Sequence, residues 1–324
     1  MKQKFKWLIP LALLAMMILS FHLSARLTAL CQSTSLRFET PLTAQQVQWA
    51  RAYAEENCTA YPTFWAESDI WISTGEYSVP AAQVLYNGDP DLPYPVTYRY
   101  GSAPGLAESA CAISVGLAWE LWKADRAVGM TVEIDGAEYT VSGVFEEDAC
   151  RLIRMGEEGF TAAEIPDVPR GEDSYRYCLD LAAQSGLGLP DGVLWGHGMA
   201  ALGRLLPFLP LLLAFCFLAS PFLGKLKRLP AAFWGILALV LALALPALLE
   251  IIPGWLIPTR WSDFSFYSRL FATFRDRWQA LLLLSPTPMD AERKELLLGV
   301  LFSCGGCCAL TLEFKHTFFP THHV

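Results

Sequence analysis

Long apolar runs alternate with polar stretches along this chain and divide it into a membrane frame and one inserted module. A membrane-spanning helix needs about 20 mostly apolar residues, and four stretches approach that length. They are residues 7–23, 205–224, 229–249 and 296–312. The pattern therefore predicts four transmembrane helices. The first is expected to be an uncleaved anchor, because no small-x-small cleavage site follows it.

These runs define four predicted parts of the chain. They are a cytoplasmic tail with its anchor (1–24), an extracytoplasmic module (25–204), a three-helix membrane region (205–312) and a cytoplasmic tail (313–324). Within the membrane region, aromatic and leucine residues recur at three- and four-residue spacing with arginines between them. This pattern predicts an amphipathic helix over 262–285 that lies in the membrane interface, where basic residues meet lipid headgroups.

Shorter patterns inside the module predict a mixture of helices and strands. Thr43 and Gln46 form a capping box before a helix, and FWAESDIWIST and AAQVLYN are rich in aromatic and β-branched residues, which favours strands. Ser114 is placed to cap a short helix that ends before Gly129. Asp135 and Gly136 then join TVEI to EYTVSGVF, because a type I′ hairpin turn needs positive φ at both central residues. The predicted fold class is α+β, with a mixed sheet and short helices.

Composition and charge agree with this division. The 324 residues are 53% hydrophobic and 17% charged, against about 25% charged in soluble domains. Residues 25–204 carry 25 acidic and 11 basic residues, a net charge of −14. An acidic surface without clustered Lys and Arg argues against a nucleic-acid partner.

Basic residues in short loops predict the orientation. The N-terminal MKQKFK and the connection that contains Lys225, Lys227 and Arg228 are basic without acids. Both would be cytoplasmic, which places the acidic module outside the plasma membrane of a multi-pass protein.

Catalytic motifs are absent from the sequence: it has no phosphate-binding P-loop, no Gly-x-Ser-x-Gly elbow and no His-Glu-x-x-His helix. We therefore expect no enzyme activity, no cofactor and no metal. Cys304, Cys307 and Cys308 lack a fourth ligand nearby, so helix packing by small residues is favoured over a metal or redox site. His197 is a candidate pH sensor, although a flexible linker is favoured. Nine cysteines leave the disulfide pairing open.

One segment of about 35 residues resembles a known family. It resembles the extracytoplasmic core domain of the MacB and FtsX-like family of ABC transporter permeases. The matching positions are Ile113, Ser114, Leu117, Ala118, Leu121, Trp122, Val128, Gly129, Val132, Ile134, Gly136, Tyr139, Val141, Gly143 and Val144. The layout of one anchor, a large outer domain and three further membrane helices is similar to the same family.

The resemblance implies a non-catalytic permease subunit that works as a homodimer, or with a related permease, beside a cytoplasmic ABC ATPase. In such permeases the outer domain takes part in mechanotransmission. Lys225, Lys227 and Arg228 are the candidate partner contact, whereas Ser114, Gly129, Asp135, Gly136 and Gly143 are expected to shape the outer domain. The family's usual docking stretch after the second membrane helix is reduced here to KLKRLP. A stand-alone extracytoplasmic sensor or scaffold is therefore the alternative function, and a membrane-bound hydrolase has no supporting motif.

Overall fold

The polar module is a mixed α/β fold built on one sheet. The computed structural model describes residues 8–75, 77–105, 109–169, 172–215, 254–256, 258, 263–283 and 287–318. Within these ranges the strands are β1 (Thr34–Leu42), β2 (Thr63–Ser73), β3 (Ser78–Asn87), β4 (Tyr98–Gly101), β5 (Ala110–Ser114), β6 (Thr131–Ile134), β7 (Ala137–Phe145), β8 (Arg151–Met155), β9 (Phe160–Ile165) and β10 (Gly192–Leu194).

Seven helices accompany these strands in the described part of the chain. They are α1 (Leu8–Leu30), α2 (Ala44–Glu56), α3 (Val115–Trp122), α4 (Ser174–Gln184), α5 (Gly196–Leu205), α6 (Phe266–Leu283) and α7 (Pro288–Phe318). A short 3-10 turn covers Gly254–Leu256.

The strands follow the order β10-β1-β9-β2-β3-β8-β5-β7-β4. β6 pairs with both β2 and β7, which closes β2, β3, β8, β5, β7 and β6 into a ring. The β3–β8 and β5–β7 pairs are parallel, whereas the other pairs are antiparallel. The predicted mixed sheet with short helices is therefore confirmed.

Two of the three apolar cores in the described module are built on its helices. In the first, α2 and α4 cover the half of the sheet that contains β1 and β9, around Leu36, Phe64 and Phe160. In the second, α3 fills the ring with Leu117, and the strands contribute side chains such as Ile113. Burial of apolar area supplies most of the favourable free energy of such cores.

The local predictions for the module hold. Thr43 and Gln46 form the complete capping box of α2, and Ser114 caps α3 by accepting a hydrogen bond from the Leu117 amide at 3.1 Å. Asp135 (φ 52°) and Gly136 (φ 81°) form the turn between β6 and β7.

Three helices in the described residues are long and apolar enough to cross a membrane: Ile9–Leu30, Gly196–Phe215 and Asp290–Lys315. They correspond to the first, second and fourth predicted spans, while the predicted span at 229–249 lies outside the described residues. The observed helices extend past the predicted boundaries, since α1 continues to Leu30 and α7 to Phe318.

The segment around His197, interpreted as a flexible linker, is helical instead, since α5 covers Gly196–Leu205. A Cβ at Gly196 would overlap the carbonyl oxygen of Ser33, and one at Gly203 would lie 3.0 Å from Leu27. Ser24 Oγ donates to the Gly203 carbonyl at 2.7 Å. The glycines therefore permit α5 to pack closely on the chain at the end of α1, and that contact stabilises a helix of poor intrinsic propensity.

Small residues also pack α7 against α1. Ser20 Oγ lies 3.0 Å from Cys304 Sγ, a Cβ at Gly299 would lie 3.2 Å from Leu23, and one at Gly306 would overlap the end of Met16. Close packing of this kind is typical of membrane helices. The interpretation of the Cys304 segment as a packing surface agrees with these contacts.

Candidate functional site: the junction between the module and the membrane helices

The two chain crossings between the module and the membrane meet at one place. α1 leads into β1 there, β10 leads into α5, and the first turn of α7 lies against both β1 and the end of β9. We call this region the junction. Its charged members are Arg37 on β1, Glu164 on β9, and Asp290 and Arg293 on α7, all of them buried or nearly so.

Asp290 begins the junction on the membrane side. Its carboxylate accepts two hydrogen bonds from Arg37 Nη2, at 2.8 and 3.0 Å. The carboxylate also accepts from the Thr287 amide at 3.4 Å, while Thr287 Oγ1 accepts from the Asp290 amide at 3.3 Å. Asp290 therefore caps α7 and holds β1 at the same time.

Arg293 lies one turn further along α7. Its Nε donates to the Leu30 carbonyl at the end of α1, at 3.1 Å. Its Nη1 lies 3.8 Å from Glu164 Oε1 and 3.8 Å from Asp290 Oδ1. Arg293 thus contacts α1, β9 and its own helix with a single side chain.

Glu164 completes the group from the sheet. It accepts hydrogen bonds from Ser33 Oγ and, at 3.2 Å, from Trp65 Nε1. The Trp65 ring also lies under the Arg37 guanidinium, 4.5 Å from its centroid. Two acids and two bases therefore share one buried site.

Electrostatics keeps Glu164 ionised in this site. Burial by itself raises the pKa of Glu164, but Arg293 and Arg37, together with the hydrogen bond from Ser33, hold that pKa below its ordinary value. Charges of opposite sign in equal number offset much of the desolvation cost, whereas removing one member leaves a buried charge without its partner.

His197 belongs to the same junction. Its Nδ1 lies 2.9 Å from Thr34 Oγ1, and its Nε2 lies 2.9 Å from the Pro166 carbonyl oxygen. A carbonyl only accepts, so Nε2 carries the proton and Nδ1 is free to accept from Thr34. His197 therefore connects the start of α5 to the start of β1 and to the end of β9, which is a structural contact and not part of a linker.

α6 adds a second contact between the membrane region and the module. Arg277 donates to both carboxylate oxygens of Asp173, one of them at 3.0 Å. Its guanidinium also stacks on Tyr175 and Trp195, 4.4 and 4.5 Å from the ring centroids. Arg277 is therefore paired with an acid of the module and covered by aromatic rings, while the position of the helix in the membrane interface stays a prediction.

The structural residues predicted from the motif lie in the ring of strands and not at the junction. Ser114 Oγ donates to the Ala149 carbonyl at 2.6 Å and accepts from the Arg151 amide at 3.0 Å. Gly129 (φ 86°) donates its amide to Val141 at 2.8 Å. Asp135 and Gly136 form the hairpin turn, and Gly143 lies against the Ser102 backbone, where a Cβ would overlap the carbonyl oxygen.

Lys225, Lys227 and Arg228 lie outside the described residues, so their role as a partner contact stays a prediction.

Sequence patterns did not identify the junction. In the sequence, Arg293 is one of several basic residues between the third and fourth apolar runs. Arg37 and Glu164 lie within short segments that carry no recognisable motif. The usable signal was Thr287-x-x-Asp290 before the fourth apolar run, which matches a capping box. That signal predicts the start of a helix but not its partners, which come from residues more than 120 positions away.

The described cysteines are free thiols. Burial raises the pKa of Cys31, Cys111 and Cys178 to about 12, so these thiols stay protonated and are poor nucleophiles and metal ligands. Among the described residues, no group of three or more His, Cys, Asp or Glu side chains is arranged to hold a metal ion.

Together, the apolar helices and the α/β module define a membrane protein with a large region outside the bilayer. No family model matches the chain, and no curated protein matches it. Among solved structures, it is similar to the periplasmic region of MacB from Actinobacillus actinomycetemcomitans, with 11% identity and a TM-score of 0.43, over 52% of this chain and 89% of that one.

A second solved structure is the extracellular domain of the noncanonic ABC-type transporter YknZ from Gram-positive bacteria. The identity is 12% and the TM-score 0.38, over 50% of this chain and 97% of that one.

Proposed function

We propose that this chain is a non-catalytic, permease-like membrane subunit that transmits conformational change between its membrane helices and its extracytoplasmic module. The observation that carries the proposal is the buried junction of Arg37, Glu164, Asp290 and Arg293. It joins the module's sheet to the first turn of α7 by two charged hydrogen bonds between Arg37 and Asp290 and by a longer ion pair between Arg293 and Glu164. A displacement of α7 in the membrane would pull directly on β1 and β9.

The geometry supports transmission better than passive anchoring. A module that is only anchored needs a single helix, whereas here α1, α5 and α7 all meet the sheet at one place. Buried charge pairs require accurate geometry, and breaking one costs several kcal/mol. We therefore expect α7 and the module's sheet to move together as one rigid unit.

The resemblance of the segment from Ile113 to Phe145 to the MacB and FtsX-like core domain supports the same class of protein. Its helix cap and its hairpin turn are formed as that motif implies. Within this proposal the partner is a cytoplasmic ABC ATPase, and the contact surface is Lys225, Lys227 and Arg228.

The first experiment is purification of the tagged full-length protein in mild detergent, followed by mass spectrometry and an ATPase assay. We expect an ATP-binding subunit in stoichiometric amount. Replacing Lys225, Lys227 and Arg228 by serine should release it, whereas replacing Lys2, Lys4 and Lys6 should not. These two sets are matched, because each removes three basic residues from a predicted cytoplasmic segment.

Transmission itself is tested in the recovered complex. A spin label at the exposed Glu138, introduced as Glu138→Cys, should report an ATP-dependent change in mobility. Glu164→Gln should abolish that change while the ATPase subunit still co-purifies. An unchanged response in Glu164→Gln would show that the junction does not transmit.

A stand-alone sensor or scaffold is the second candidate, and the short KLKRLP connection favours it. In that case, repeated purifications would recover an envelope protein and no ATPase. The serine variants of Lys225, Lys227 and Arg228 would then leave the recovered partner unchanged.

A further inference from the structure

The apolar residues of α6 form one broad side of the helix, and the described structure covers only part of it. Leu270, Phe274, Trp278 and Leu281 are half-buried or buried, and Phe274 stacks edge-on against Trp195 with 5.4 Å between ring centroids. This inner face docks α6 on the rest of the protein.

Other residues on this apolar side are exposed in the described structure. Tyr267, Phe271 and Leu282 are 63%, 76% and 64% exposed, and the 3.6-residue period of an α-helix places all three within about 60° of one another. We call these three residues the outer stripe. Phe264, just before the helix, is also exposed.

The position of α6 relative to the membrane helices identifies what meets this stripe. The inner face packs on Leu297 of α7, and Leu202 of α5 lines the same contact. Leu297 is seven residues into the candidate span that begins at Asp290, which is about 10 Å along the helix. Leu202 is six residues into the candidate span that begins at Gly196, or about 9 Å. α6 therefore packs on the first turns of both candidate spans, at the end where these helices meet the module, and this is where the boundary of a surrounding bilayer is expected.

The charges of α6 exclude a purely electrostatic attraction to lipid. Each of its three arginines has an acid partner: Arg269 pairs with Asp263, Arg275 with Asp276 and Arg277 with Asp173. The basic residues expected from the sequence to bind headgroups are thus neutralised within the protein. Aromatic side chains favour the membrane interface without regard to lipid charge.

We propose that the outer stripe of Tyr267, Phe271 and Leu282 is a contact surface for the phospholipid bilayer interface, and that it binds there by apolar and aromatic burial without requiring anionic lipid. The surface would fix the height of α6, and through Arg277 and Asp173 the height of the module, relative to the membrane.

The test uses the full-length protein with Cys58→Ser, which removes an exposed native thiol, reconstituted in nanodiscs of phosphatidylcholine alone or with phosphatidylglycerol. A spin label is placed at Phe271→Cys. The matched control is Asp276→Cys, because Asp276 is equally exposed on the same helix but points about 140° away. The signal of the unsubstituted background is subtracted. Leu282→Cys repeats the measurement if Phe271→Cys does not fold into a monodisperse protein.

We expect the label at 271 to be more accessible to oxygen, which partitions into lipid, than to a water-soluble nickel chelate, with the reverse at 276. Both results should be the same in the two lipid compositions. Preferential nickel access at 271 would overturn the proposal, as would protection from both reagents, which indicates cover by protein. Protection that appears only with phosphatidylglycerol would show that charge, not apolar burial, holds the stripe.

Discussion

Arg37 and Asp290 are 253 residues apart in sequence, yet the guanidinium of the first donates two hydrogen bonds to the carboxylate of the second, at 2.8 and 3.0 Å. The Asp290 side chain is fully buried and that of Arg37 is 11% exposed. This pair joins the first strand of the module to the first turn of the last helix.

Removing the charge of Asp290 should destabilise the whole protein. Asp290→Asn keeps the shape and the helix cap but leaves Arg37 without its charged partner, which costs about 3–5 kcal/mol for a buried pair. An SDS titration of the detergent-solubilised protein measures the change in the free energy of unfolding.

Asp276→Asn is the matched control, because its partner Arg275 is two-thirds exposed and an exposed pair contributes about 0–1 kcal/mol. The double variant Arg37→Met, Asp290→Asn should lose less free energy of unfolding than the two single variants lose together, since Arg293 and Glu164 remain a balanced pair. Additive losses would show that Arg37 and Asp290 are not coupled.

The lowered pKa of Glu164 predicts how acid acts on stability. Its folded pKa lies below the unfolded value of about 4.3 for a glutamate, so the ionised group stabilises the fold above that pH. The stabilisation is lost as the pH falls through the folded pKa.

Glu164→Gln should therefore be less stable than the natural protein at pH 6, and the difference should shrink as the pH falls below about 4. Thermal unfolding of both proteins from pH 6 to pH 3 measures it. Glu157→Gln, at an exposed turn, should show no such convergence. If the stability difference between Glu164→Gln and the natural protein stays constant or widens as the pH falls, the lowered pKa of Glu164 is contradicted.

Two glycines of the module should differ in their tolerance of alanine. Gly136→Ala adds a methyl group to open space but at a φ of 81°, which costs about 1–2 kcal/mol. Gly143→Ala should cost more, because its methyl group would overlap the backbone carbonyl oxygen of Ser102, which has little freedom to move.

Chemical unfolding of both full-length variants measures how much free energy of unfolding each substitution costs. Equal losses would mean that the approach of the β7 backbone to Ser102 is looser than described.

Adjacent glycines in α7 provide a direct test of helix packing. Gly306 lies against Met16 of α1, whereas a Cβ at Gly305 would meet no atom of another element within 4 Å. Gly306→Leu should therefore weaken the contact between α1 and α7, and Gly305→Leu should leave it intact.

SDS titration distinguishes the two, because both substitutions add the same side chain to the same helix. If Gly305→Leu loses more stability than Gly306→Leu, the orientation of α7 toward α1 is contradicted.

Local elements of this protein could be predicted from the sequence. The capping boxes, the Asp135-Gly136 turn and the apolar runs are short-range features, whose energies depend on neighbours within about four residues. The fold class and the position of the module between membrane helices followed from the same patterns.

The junction could not be predicted in that way. The sequence around each of its four charged residues is ordinary. The ion pairs between them exist only when the sheet and α7 bury these residues together, and the lowered pKa of Glu164 has the same origin. The helix at 196–204 has the same origin, because its glycines weaken an isolated helix but permit the close contact with Ser33 and Leu27. Sequence alone determined the capped helices α2 and α3, the Asp135-Gly136 hairpin, the strands β2 and β3 and three of the long apolar helices. Only the tertiary structure decided which charges are paired, because burial and long-range proximity create the interaction that makes a pair stable.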